Sequence, residues 1–110
     1  LSAISSQLFT DLPALGGDEQ FRELLARPGL RIERIVSSGQ CSPPGFWYDQ
    51  ADGEWVVILQ GEAKLRFADE AEARHLRAGD SLDIAPRRRH RVDWTPVGQH
   101  TVWLAVFYRP

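Results

Sequence analysis

Residues 62–67, Glu-Ala-Lys-Leu-Arg-Phe, alternate between small or apolar and charged side chains without a break. Ala63, Leu65 and Phe67 fall on one face, Lys64 and Arg66 on the other. A period of two with one apolar face dictates a half-buried strand. The stretch before it, Trp55–Leu59, is almost wholly apolar and is closed by Gln60-Gly61, so it reads as a buried strand that turns into the next. Glu54 opens that buried strand. A carboxylate there must be paired, hydrogen-bonded or bound to a cation, because an unpaired buried charge is costly.

The same punctuation runs through the rest of the chain. Strands are expected over Arg31–Val36, Gly45–Gln50, His75–Arg77, Ser81–Ile84, Arg87–Trp94 and His100–Tyr108, separated by Gly- and Pro-bearing turns. The last strand carries apolar residues on both faces, Val102, Leu104 and Val106 against Trp103, Ala105 and Phe107, so it is expected to be buried on both sides or covered by the N-terminal arm. Ala68–Arg74 is acidic and reads as a solvated hairpin loop. Near the N-terminus, Asp18 reads as a helix start and Phe21, Leu24 and Leu25 as one apolar stripe. A short amphipathic helix is therefore expected over Asp18–Ala26, stopped by Pro28-Gly29. This divides the chain into an arm and helix, residues 1–29, packed on a β-barrel domain, residues 30–110. Many short strands at regular spacing point to an all-β sandwich or barrel, whose mouth can hold one ligand or metal.

A chain of 110 residues has room for one core, and a net charge of −2 gives no general pull toward nucleic acid or membrane. No apolar run reaches the length of a membrane span, and none reads as a signal peptide. The single Cys41 excludes an internal disulfide and fits a reducing, cytoplasmic setting. The basic run Arg87-Arg88-Arg89-His90-Arg91 lacks an interleaved aromatic platform for nucleic acid. Alternation places Arg88 on the His90 side, at the rim, where it would attract an anionic group or pair with the acidic loop at 68–73.

Two Gly-anchored stretches then acquire a meaning. Glu54 precedes Gly61 by the gap of the first cupin motif, and Gly79-Asp80 followed by His90 fits the second; residues 45–94 resemble a cupin. The resemblance implies a jelly-roll β-barrel with a short N-terminal helix added, a divalent metal at the barrel mouth and a homodimer. It carries Glu54 and His90 over as metal ligands and catalytic candidates. The first motif's His pair is replaced: one spacing puts Tyr48 and Gln50 in its place, the other Trp47 and Asp49. In the second motif Ala85 stands at the Pro position with Pro86 one residue late, and Trp94 stands at the Asn position. Asp49 and Gln50 are therefore the candidate substitute ligands, and Tyr48 and Arg88 the candidate ligand-pocket residues. An oxygen-rich set with one imidazole suits Mn, Mg or Ca better than Fe, Ni or Zn.

Three uses remain open at this level. One is a metal-dependent enzyme of oxygenase or isomerase type acting on a small, perhaps anionic, organic molecule. The second is a metal-free small-molecule binding or sensory module, with Glu54 and His90 satisfying each other or moving a proton. The third is a barrel serving mainly homodimer packing.

Overall fold

The computed structural model describes residues 7–110. Eight strands follow one another: β1 (Gln20–Arg27), β2 (Leu30–Ser37), β3 (Gly53–Gln60), β4 (Glu62–Phe67), β5 (Arg74–Arg77), β6 (Ser81–Ile84), β7 (His90–Trp94) and β8 (Thr101–Tyr108). They form a five-stranded sheet in the order β1-β2-β8-β3-β6 and a three-stranded sheet in the order β5-β4-β7. All pairings are antiparallel. This is an all-β fold of the jelly-roll class, two sheets face to face.

The core lies between the sheets. Val56, Ile58, Ile84, Trp103, Ala105 and Phe107 project from the larger sheet and Ala63, Leu65, Phe67 and Leu76 from the smaller one. The period-two face of residues 62–67 is thus the face that meets the core, as alternation requires. β8 runs through the middle of the larger sheet between β2 and β3, which accounts for its burial on both faces.

The expected helix over Asp18–Ala26 does not form; Gln20–Arg27 is strand β1, and the described residues contain no helix. The reason lies in a β-bulge. Pairing with β2 shifts register between Glu23 and Leu25, which inserts one residue and breaks the period of two along β1. Phe21, Leu24 and Leu25 thereby imitate a helical stripe. Pro28 and Gly29 are the two-residue turn of a β1–β2 hairpin, with Gly29 at φ 75°, where glycine is unstrained.

Of the expected arm, residues 1–6 lie outside the described residues. Residues 7–19 are irregular, and Leu8, Thr10 and Asp11 among them bind to the outer face of the larger sheet through Arg34. That side chain is fully buried, and its guanidinium donates to the carbonyls of Leu8, Thr10 and Asp11 and to Gln20 Oε1, with Thr10 at 2.8 Å and Gln20 at 2.6 Å. His100 Nε2 meets the Pro13 carbonyl at 2.7 Å.

Two further strand expectations change. Gly45–Gln50 is a loop that touches β7 through one antiparallel bridge, Tyr48 with His90. Residues 85–89 are a turn rather than the start of β7, with Arg88 N–H donating to the Ala85 carbonyl at 3.1 Å and Arg87 at φ 65°. The loop at 42–50 runs along the open edge of β7: Ser42 N–H donates to the Val92 carbonyl (2.8 Å) and Arg91 to the carbonyls of Ser42 and Pro43. It covers an edge that would otherwise expose unpaired backbone groups.

Candidate functional site

A cavity of about 90 Å³, open to solvent, lies between the inner faces of the two sheets. Its polar residues are Glu19, Glu33, Tyr48, Gln50, Glu54 and His90. Phe21, Ile35, Leu65, Trp103 and Phe107 supply much of the apolar wall.

His90 is the first residue of β7, opposite Phe67 of β4, so its ring points inward from the smaller sheet. It is 4% exposed. The Tyr48 ring stacks on it at 5.3 Å between centroids and 24° between planes, and Phe67 lies on another side at 6.3 Å. Backbone hydrogen bonds between Tyr48 and His90, 2.7 and 3.2 Å, fix that stack. The ring's Nδ1 lies 2.9 Å from the Arg88 carbonyl. A carbonyl can only accept, so Nδ1 carries a hydrogen, and in the neutral ring Nε2 is left with a lone pair facing the cavity.

Glu54 comes from the opposite sheet. It stands between Phe107 of β8 and Ile84 of β6, near the start of β3. Its Oε1 lies 3.5 Å from His90 Nε2, and its side chain is 12% exposed. Gln50 Nε2 donates to the same Oε1 at 3.0 Å. Gln50 is anchored in turn, its carbonyl accepting from Arg87 N–H at 2.7 Å.

Of the residues singled out from sequence, the fold therefore brings Tyr48, Gln50, Glu54 and His90 together. Asp49 and Arg88 do not join them. Asp49 sits between two inward-facing residues and points the other way, 3.4 Å from the Arg87 guanidinium. Alternation selects Gln50 over Asp49, and with it the shorter of the two motif spacings. Arg88 leaves the His90 side because 85–89 turns rather than extends. Its guanidinium pairs with Asp69 (3.1 Å) and Glu70 (3.2 Å) and lies over the Phe67 ring at 3.7 Å.

Two carboxylates at the cavity were not expected, Glu19 and Glu33. Glu19 accepts from the buried Ser37 hydroxyl, which accepts in turn from Trp103 Nε1 at 3.1 Å. Glu33, on β2, receives Arg31 Nε at 2.9 Å. Glu19 belongs to the region expected as arm and helix, and Glu33 to the strand expected over Arg31–Val36, where no motif marks it. The Pro28-Gly29 pair between two apolar-bearing runs was the signal that could have found the hairpin. The summed field is negative. Burial, with Glu19 and Glu54 adding to it, pushes the Tyr48 phenol above its usual range.

As a metal set the converging donors are one imidazole nitrogen, one carboxylate and, after rotation of the side-chain amide, one amide oxygen. They fit a hard divalent cation on one open face, and the Nδ1–H to carbonyl bond is the support that metal-binding histidines use. The described residues gather no cluster of three or more His, Cys, Asp or Glu able to hold a metal. No described helix is long and apolar enough to cross a membrane.

No protein-family model and no curated protein matches the chain. Solved structures do. One, from Ralstonia eutropha JMP134 and provisionally named a mannose-6-phosphate isomerase, is 47% identical with a TM-score of 0.94, over 98% of this chain and 100% of that one. A cupin superfamily protein from Desulfitobacterium hafniense DCB-2 is 16% identical with a TM-score of 0.78, over 100% and 95%. A cupin 2 conserved barrel domain protein from Salinispora arenicola CNS-205 is 19% identical with a TM-score of 0.72, over 98% and 90%. At those two lower identities the likeness is one of fold.

Proposed function

The chain belongs to the cupin superfamily, and from that premise we propose that it binds a small organic molecule in the cavity between its sheets, where the ligand meets the Glu54–His90 pair. The observation that carries this reading is His90 Nε2, which lies in an aromatic-walled cavity 3.5 Å from the Glu54 carboxylate and makes no hydrogen bond among the described residues. In the neutral ring it is an acceptor facing an acceptor, which leaves a place for a hydrogen between them, and a ligand's N–H or O–H is one supplier. The same pair can take a proton from such a group and return it, with Glu54 stabilising the imidazolium that forms. Tyr48 and Gln50 orient the pair, one by stacking and one by hydrogen bonding.

A divalent ion held by Gln50, Glu54 and His90 is the second reading, favoured by the tautomer that the Arg88 carbonyl imposes on His90. When bound, such an ion would polarise a ligand oxygen as a Lewis acid. The sugar phosphate in the name of the Ralstonia relative finds less support here. No Lys or Arg lines the cavity to hold a phosphate.

The test is nitrogen NMR of protein labelled at histidine, stripped of metal with a chelator, while a library of small polar molecules is titrated in. Binders are expected to move the His90 Nε2 resonance, and Glu54→Gln to weaken them. Binders that leave His90 unmoved would overturn the ligand reading. Elemental analysis of protein purified without a metal-affinity column separates the second reading: near-stoichiometric metal that is lost in Glu54→Ala would establish it.

A further inference from the structure

The cavity has a sign. Three carboxylates reach it, Glu19, Glu33 and Glu54, and none of its lining residues is Lys or Arg. Glu33 is paired with Arg31, whose guanidinium stands over the Phe107 ring at 4.2 Å. Glu19 and Glu54 have no Lys or Arg partner among the described residues; the first is held by a hydroxyl and the second by an amide. β1 and β2 add to this by setting Glu23 directly opposite Glu33, a like-charge pair that isolated strands disfavour. Acidic residues alone would say little. The independent observation is His90, 4% exposed and lining the same cavity, whose Nε2 makes no hydrogen bond among the described residues and has Glu54 Oε1 at 3.5 Å. Carboxylates without a Lys or Arg partner ask for one thing, a positively charged donor. The walls ask for another. Phe21, Tyr48, Trp103 and Phe107 present aromatic surface, which attracts a cation as well as an apolar body.

We infer that the cavity takes a protonated amine carried on an apolar body, its ammonium received by Glu54, Glu19 and His90 Nε2 and its body by the aromatic wall. This rests on the ligand-binding reading above and gives it a chemical class; it reverses the expectation of an anionic ligand, which depended on Arg88. Partial burial raises the cost of placing an anion beside two carboxylates that have no Lys or Arg partner among the described residues, and raises the gain for a cation.

Three probes of matched size separate the possibilities: 2-phenylethylamine, 2-phenylethanol and 3-phenylpropanoate, titrated calorimetrically at pH 7 into the full chain with a chelator present. Chemical shifts of the His90 ring and the Trp103 indole N–H locate the binding. The amine is expected to bind about tenfold or more tightly than the alcohol, and the acid not measurably. Glu19→Gln is expected to narrow the gap between amine and alcohol, with the dispersion of its NMR spectrum showing that the variant is folded. Alcohol binding as tightly as amine, with the cavity signals moving, would overturn the charge inference and leave the ligand reading standing. So would tighter binding of the acid. Three probes that all fail to move the His90 and Trp103 signals would overturn both.

Discussion

His90 Nε2 and Glu54 Oε1 face each other across 3.5 Å, from opposite sheets. That is beyond the 2.7–3.2 Å of a good hydrogen bond. A buried carboxylate without a Lys or Arg partner costs stability. Replacing Glu54 alone removes that cost but leaves the Gln50 amide without its acceptor, a loss of similar size. Glu54→Leu is therefore expected to change the unfolding free energy by no more than about 1 kcal/mol, and to abolish amine binding. Urea denaturation beside calorimetry checks this. A loss of more than about 2 kcal/mol would make Glu54 a structural residue.

Tyr48 reports the same field. Its phenol is raised above the ordinary value of 10.0 first by burial, then by Glu19, then by Glu54. The folded protein then holds that proton where the unfolded chain has released it. The Tyr48 contribution to stability is present in full below about pH 10 and is lost as pH rises through the higher folded value. Ring signals of Tyr48 followed by NMR during alkaline titration should move above the ordinary tyrosine range, and Glu19→Gln should bring the midpoint down. A midpoint unmoved by Glu19→Gln would place that carboxylate away from the ring.

Arg88 belongs to the surface. Its partners Asp69 and Glu70 sit on the turn between β4 and β5, and exposed pairs contribute about 0–1 kcal/mol. Arg88→Ala is expected to lower stability by no more than that and to leave ligand affinity within about twofold. Loss of binding on a par with Glu54→Gln would return Arg88 to the cavity.

Gly53, at the start of β3, has the Tyr108 ring where a side chain would stand: a Cβ built there comes 2.3 Å from the ring's Cζ. Tyr108 is itself held by a hydrogen bond to Asp83. Gly53→Ala is expected to destabilise by about 1–3 kcal/mol through overpacking. Tyr108→Leu should recover part of that loss in the double variant, which a double-mutant cycle in urea would show.

Much of this site was legible in the sequence, and the residues explain which part. Glu54 and His90 stood out because each keeps its distance from a turn glycine, Gly61 or Gly79, and those turns set where a strand begins. Gly61 cannot drift, since a Cβ there would meet the His100 carbonyl at 2.6 Å. The choice between Gln50 and Asp49 was undecidable, because residues 45–50 hold their alternation through one bridge to β7 and not through a ladder. Arg88 was misplaced for a related reason: period-two counting fails across the left-handed Arg87. Glu19 was missed with β1, and Glu33 because nothing in the strand expected over Arg31–Val36 marks it. The bulge at Glu23/Leu25 altered the apolar spacing, and a local pattern of that kind is overruled by pairing with a distant strand.

The β1–β2 hairpin divides the labour of the cavity. Glu54 and His90 sit on strands whose other residues build the core, so little about them can vary. Phe21 rides on an edge strand that pairs with β2 alone, and Glu19 lies just before it, outside any strand. Substitutions there reach the cavity without passing through the core. Descent can therefore alter the shape and charge of the cavity's mouth while the Glu54–His90 pair and the fold beneath it stay as they are.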